Sequence, residues 1–370
     1  MSNKPSPRRT HSRGKRAVAA SGVPTRTLRH KPKPSSAAVV YAPDRERRRQ
    51  GTQNLLDLPL EASSDGVPPV DVLLLGVPTD AGTLHRTGAR LGPGAVRQVS
   101  WMGGRFSAAL GVDIYDELRV ADGGNLSVDD LDVDDALGIV AERIAHVARS
   151  GVVVGVIGGD QCTTLAALRG IREAKKRAVG LIHIDAFHDA LPVEAPRGIH
   201  HRNVIRQAIA EKLIRLDSVM QIGVRGPCDS ASEHAFALGN GFELVTMDEV
   251  RWDFHAVVSQ VRKMVSRGSL YVSVDLCALD PSVAPGVSTP APGGMSSWQL
   301  QQILRALVGA DIVGFDVVEL SPLHDTAELA SGVATITIQE ILSAIADTRR
   351  SARPAPSAPS TRIRRGRRSA

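Results

Sequence analysis

The sequence predicts an α/β fold, a three-layer α/β/α domain around a mostly parallel eight-stranded sheet. Three observations lead there. Short apolar runs recur along the chain, each closed by Gly, Asp or Pro. Several are apolar on both faces, as strands covered by helices on each side must be. Helix-period stretches lie between most of them, and alternating strand and helix is the signature of parallel sheets built by crossover connections.

In order, the candidate strands are VDVLLLGVP (70–78), ELRVADGG (117–124), GVVVGVIGGD (151–160) and VGLIHID (179–185), then VMQIGVRG (219–226), FELVTMDEV (242–250), SLYVSVDL (269–276) and IVGFDVVEL (312–320). A helix is expected over about 130–149. Acids crowd its first turns and Arg149 lies near its end, a polarity that suits the helix dipole. A second helix is expected over about 298–308 and a third after Gln339. No internal repeat or clean linker interrupts this pattern, so 65–348 reads as one domain. Aromatic residues are only 3% of the chain, so Val, Leu, Ile and Ala must build the core.

The net charge of +6 conceals an uneven distribution. Residues 1–50 carry 14 Lys/Arg against 2 acids, and residues 349–370 carry 8 Arg and no acid, which leaves 51–348 at −14. The chain therefore reads as an acidic globule between two basic, Pro- and Ser-rich tails without apolar periodicity, expected to be disordered. Clustered Arg could neutralise phosphate, but solvated tails are the simpler expectation, and nucleic acid is not an expected partner. The Arg- and Ser-rich first tail also resembles a mitochondrial transit peptide. Cys162, Cys228 and Cys277 are odd in number and widely spaced. With no secretory signal visible, a reducing compartment is expected, cytoplasmic or alternatively mitochondrial. No apolar run reaches the length that spans a bilayer, so no membrane is expected.

Acids collect where the strands end. Asp160 follows VIGG, Asp185 and Asp189 follow GLIHI, Asp275 follows YVSV, and Glu319 ends GFDVV. Ligands of open α/β sheets bind outside the carboxyl ends of the strands. Five carboxylates on one rim repel one another unless a cation neutralises them, and a hard divalent ion such as Mn²⁺ or Mg²⁺ suits oxygen ligands. Each acid taken singly is an ordinary turn former.

These stretches resemble the ureohydrolase (arginase/agmatinase) family, most closely its agmatinase branch. GVPTDAGTLHRTGARLGPGAVRQVS (76–100) resembles the agmatinase N-terminal stretch. GGDQCTTLAALRGI (158–171) resembles the Gly-Gly-Asp-His motif, and HIDAFHD (183–189) the Asp-Ala-His-x-Asp motif. SVDLCALDPSVAPGVSTPAPGG (273–294) resembles the Ser-x-Asp-x-Asp stretch, and GFDVVELSPLHD (314–325) the closing motif. The resemblance implies an arginase-like fold and an oligomer, a trimer or hexamer. It implies hydrolysis of the C–N bond of a linear guanidino compound or amidine by hydroxide bridging two Mn²⁺ ions. It also implies that Glu319 holds the guanidinium and that His201, in IHHRNVIRQA (199–208), moves protons. Arg202 stands there in place of the family's Gly.

Of the six metal ligands the resemblance implies, Asp185, Asp189 and Asp275 match. Gln161, Phe187 and Cys277 stand where the family has His, His and Asp. A glutamine carbonyl is a weak ligand, a thiolate prefers softer ions than Mn²⁺, and a phenyl ring does not coordinate. In an extended loop, His188 points away from the face shared by Asp185 and Phe187. A zinc site on Cys277 lacks the Cys and His it would need. The expectation is a two-metal centre degenerate to one ion or none, with guanidine hydrolysis lost or strongly altered, in a homo-oligomer or a hetero-oligomer with an active relative. The alternatives are an active one-metal or rebuilt hydrolase, and anionic-polymer binding by the tails.

Overall fold

Val72–Gly76 (β1) is VLLLG, and all five residues are buried. Val72 and Leu74 point into one apolar cluster and Leu73 and Leu75 into another. Such alternation belongs to a strand covered on both faces. In the computed structural model, which describes residues 55–60, 66–194, 198–228 and 231–353, seven further strands join it, the central ones buried like β1 and the outer ones partly exposed. They are Val120–Asn125 (β2), Val153–Ile157 (β3), Val179–Ile184 (β4), Ile214–Val224 (β5), Glu243–Thr246 (β6), Leu270–Asp275 (β7) and Ile312–Val318 (β8). They form one eight-stranded sheet in the order β2-β1-β3-β8-β7-β4-β5-β6, and every pairing in it is parallel. The first expected tail and residues 354–370 of the second lie outside the described residues, whereas 349–352, expected to be disordered, continue the last helix, with Arg349 paired to Asp71.

Helices cover both faces. Gly92–Val99 (α1) packs into the first cluster. Val133–Arg149 (α2), Cys162–Lys175 (α3) and Val204–Ala210 (α4) supply the second. Ala231–Gly239 (α5) and Met247–Trp252 (α6) flank β6. Phe254–Val265 (α7), Ser297–Arg305 (α8) and Leu329–Ala352 (α9) return to the first cluster. Burying a Leu or Ile side chain contributes roughly 1.5–3 kcal/mol, so the two clusters dominate the fold's stability.

Helix starts follow their caps. α2 begins at Val133 because the Asp132 side chain accepts from the Asp135 amide at 3.0 Å. α8 opens with a reciprocal cap between Ser296 and Gln299, an arrangement that satisfies two otherwise unpaired donors. The last helix begins at Leu329, ahead of the expected Gln339, and runs through residue 348 to Ala352. Asp325 accepts from the Ala330 and Ser331 amides and so anchors its first turn. By length and composition this helix could cross a bilayer, but 72% of its apolar window is buried in the globule. Inspection for an apolar run overlooks it because Ser331, Thr335, Thr337 and Glu340 interrupt the pattern.

The topology fixes where the acids meet. The central neighbours β3, β8, β7 and β4 run parallel. Their carboxyl ends carry Asp160 and Gln161, Glu319, Asp275, and Asp185 with Asp189, in that order.

Candidate active site

All seven residues picked from the sequence are buried at this rim, none more than 3% exposed: Gln161, Asp185, Asp189, His201, Asp275, Cys277 and Glu319. Two of the acids carry positive φ, Asp189 at 50° and Glu319 at 67°. A non-glycine residue in that region is strained, and such strain concentrates at functional sites. Gly159 lets the two walls of the rim close up, since an added Cβ would lie 1.6 Å from the Thr79 carbonyl oxygen.

On one side lies a satisfied network around Glu319. Its Oε1 accepts from the Gln161 amide at 2.7 Å and faces His201 Nδ1 at 3.1 Å, while Oε2 accepts from the Ser288 hydroxyl. Burial alone would raise this carboxyl, but His201 and the donors around it outweigh burial and hold it below its ordinary value. For His201, burial favours the neutral ring and Glu319, Asp160 and Asp189 favour the imidazolium; the net shift is upward. The Leu84 amide sits 3.3 Å from Nε2 and favours a neutral ring with its proton on Nδ1, toward Glu319. Asp160 Oδ2 accepts from the Gly82 amide at 2.8 Å and the Thr83 hydroxyl at 3.2 Å, and Oδ1 from the Cys162 amide. It ties the loop after β1 to the end of β3. Burial and then the Glu319 charge raise its pKa to about 6.

On the other side Asp185 and Asp189 come together with His183, their ligand atoms within 4.8 Å of one another. Asp275 is not part of that trio, but its charge is the second cause, after burial, of the raised pKa of Asp185. Burial pushes all three carboxyls well above their ordinary range. Sequence reasoning missed His183, although the signal was there: His183 and Asp185 are two residues apart and so share a strand face.

The hydrogen bonds of His183 decide its role. Burial lowers its pKa to about 3, so the ring is neutral. Gln161 and Gln221 each direct an amide nitrogen at it, 3.1 Å from Nε2 and Nδ1 respectively. A neutral imidazole accepts at only one nitrogen. Gln221 is pinned at both ends, by His188 Nδ1 at 2.8 Å and the His188 carbonyl at 3.0 Å. Nδ1 is therefore the acceptor, and Nε2–H faces the carboxylates of Asp185 at 3.5 Å and Asp189 at 3.8 Å. At these distances His183 is a close polar neighbour of the acids rather than a hydrogen-bond donor to them. Gln161 Nε2 also donates to Ser273 Oγ at 3.1 Å, and its Oε1 has no hydrogen-bond partner.

His188 points away from the carboxylates, with Nε2 3.0 Å from Nδ1 of His234. The Cys277 amide donates to Asp275 at 2.6 Å, while burial and then the Asp275 charge keep the Cys277 thiol protonated. Phe187 is 5% exposed, with its ring against Gly226, where an added Cβ would lie 2.2 Å away, and under the Arg202 guanidinium at 3.9 Å.

The residues fit a hard divalent ion: three buried carboxylates, with Asp185 Oδ2 lacking a hydrogen-bond partner, offer oxygen ligands. The Phe187 ring and the Cys277 thiol add no hard oxygen ligand.

The Arginase family model matches residues 70–343. The mitochondrial agmatinase of Gallus gallus is 33% identical over 311 residues, covering 84% of this chain and 88% of its own. Guanidinopropionase of Pseudomonas aeruginosa is 36% identical over 281 residues, covering 75% and 88%. Among solved structures, proclavaminate amidino hydrolase from Streptomyces clavuligerus superposes with a TM-score of 0.74 at 32% identity, covering 80% of this chain and 97% of its own. A parallel sheet whose four central strand ends gather buried acids, and a match over most of the globule, lead to one conclusion: this chain belongs to the arginase (ureohydrolase) family.

Proposed function

We propose that this protein is an agmatinase-like ureohydrolase-family member whose two-metal centre is reduced to one ion at most, so that guanidine hydrolysis is lost or strongly altered. The observation that carries this reading is the buried Phe187 ring. It lies between Asp185 and Asp189 in sequence and is packed against Gly226 and Arg202. Asp185, Asp189 and Asp275 would hold the one ion, Mn²⁺ by family resemblance, with Gln161 beside them. A divalent ion there would acidify a water. Without a second ion to share it, that water loses much of its activation.

The substrate side is altered too. Glu319 Oε1 already takes two donors and Oε2 takes Ser288. A carboxylate oxygen accepts about two hydrogen bonds, so Oε1 must release a donor before Glu319 can grip a guanidinium bidentately. His201 is placed to pass a proton to Glu319. A second reading, a working one-ion hydrolase of a linear guanidino compound such as agmatine, draws on that intact Glu319–His201 pair. Under the first reading the protein serves as a non-catalytic or ligand-binding subunit, in a homo-oligomer or beside an active relative.

The test is metal content per chain by mass spectrometry, together with urea release from agmatine, on protein purified with manganese and without chelator. The expected result is one ion or none, and no turnover near the ~1 s⁻¹ that marks an ordinary enzyme. Two ions per chain with rapid urea release would overturn the reading. One ion with turnover would favour the one-ion hydrolase.

A further inference from the structure

We propose that the Arg202 guanidinium, stacked on Phe187 and facing Asp189, is a built-in cation that stands in for metal charge at the carboxylate rim and so limits the site's metal capacity. This rests on the reading of a reduced metal centre and explains what neutralises the carboxylates in it.

Arg202 is only 8% exposed. Its guanidinium carbon lies 3.9 Å above the centre of the Phe187 ring. Nη1 is 3.8 Å from Asp189 Oδ1, and Nη2 donates to Glu233 Oε1 at 3.4 Å. Glu233 is fully buried on α5. The cation thus bridges the acid rim after β4 and a second buried carboxylate. Arg keeps its charge at any working pH, so this positive charge cannot leave as a metal ion can. A desolvated guanidinium over an aromatic face is attracted by the ring's negative face. The Phe187 ring also packs against Gly226, where an added Cβ would lie 2.2 Å from it. The two residues act together, the ring as platform and the guanidinium as counter-charge. An arriving divalent ion would meet that fixed positive charge as well as the carboxylates.

The experiment is a Mn²⁺ titration by calorimetry on the full chain, comparing wild type with Arg202→Gln, Arg202→Lys and Phe187→Leu. Arg202→Gln removes the charge and should tighten Mn²⁺ binding by about tenfold or more, or add an ion per chain. Arg202→Lys keeps the charge and should stay near wild type. Phe187→Leu keeps apolar bulk but removes the aromatic face, and should tighten binding several-fold. An Arg202→Gln protein that folds only when Mn²⁺ is supplied also supports the proposal, because the ion then replaces the lost charge. If that variant does not fold under either condition, Phe187→Leu decides. Arg202→Gln or, in that event, Phe187→Leu binding Mn²⁺ as wild type does would overturn the proposal. So would Arg202→Lys binding as tightly as Arg202→Gln. Wild type carrying two ions would instead overturn the reduced-centre reading on which this rests, so the two failures are distinguishable.

Discussion

The two sides of the carboxylate rim handle the same difficulty in opposite ways. Around Glu319, every charged atom meets a donor: His201, the Gln161 amide, Ser288. Around Asp185 and Asp189, the acids meet one another, a neutral histidine at 3.5 Å and 3.8 Å, and a guanidinium at 3.8 Å. The first side is electrostatically complete with protein atoms alone. The second is incomplete, and its carboxyls are pushed toward the protonated form. An ion would matter to the second side and hardly to the first.

The largest expected effect breaks the complete side. Glu319→Ala leaves His201, Ser288 and the Gln161 amide without their acceptor in a buried site. Removing one partner of a buried ion pair costs about 3–5 kcal/mol. Urea denaturation should show a loss of that size; a variant as stable as wild type would mean that the network is not held by Glu319.

Phe187→Ala should come next. The ring is buried against Gly226 and Arg202, and truncating a buried Phe typically costs about 3 kcal/mol or more. A loss under about 1 kcal/mol would mean that the pocket collapses freely around the missing ring.

The pH dependence of the complete side sharpens the contrast. His201 has its pKa raised in the fold, so its pairing with Glu319 is fully present below the unfolded imidazole value of about 6.5. That contribution is lost as pH rises through the higher folded value. The stability difference between wild type and His201→Asn, on the order of 1–3 kcal/mol at pH 6, should therefore shrink by pH 9. Burial of His183 has the opposite sign of effect, but it is common to both proteins and cancels. A difference that grows with pH would contradict the assignment.

Arg149→Ala serves as the small-effect comparison away from the rim. Its partner Glu173 lies 3.3 Å away, and both side chains are more than half exposed. Exposed pairs contribute little, so thermal melting should barely move.

Much of this was readable from the chain. All eight apolar runs became strands because each carries its own burial pattern, as VLLLG in β1 does on both faces. The acids were legible as a set because parallel strands point their carboxyl ends the same way. Three features were harder to read. The start of the last helix depends on Asp325 reaching back to the Ala330 and Ser331 amides, which no apolar period reveals. His183 was hidden inside an apolar run, where it reads as strand filling. Arg202 could be read only as a residue out of place, since its meaning comes from Phe187, Asp189 and Glu233, which other segments deliver.

The sheet order has a consequence for how the chain reaches this state. β8 is the last strand in sequence, yet it lies at the centre, between β3 and β7. Contacts between segments so far apart in the chain make folding slow. Until residues 312–318 emerge, β3 and β7 each expose an unpaired edge of buried type, a template for association with other chains. Glu319 follows directly on β8, so the rim cannot assemble on a growing chain before the middle of the sheet has closed. A chain that stops short of β8 would lack both its central strand and Glu319.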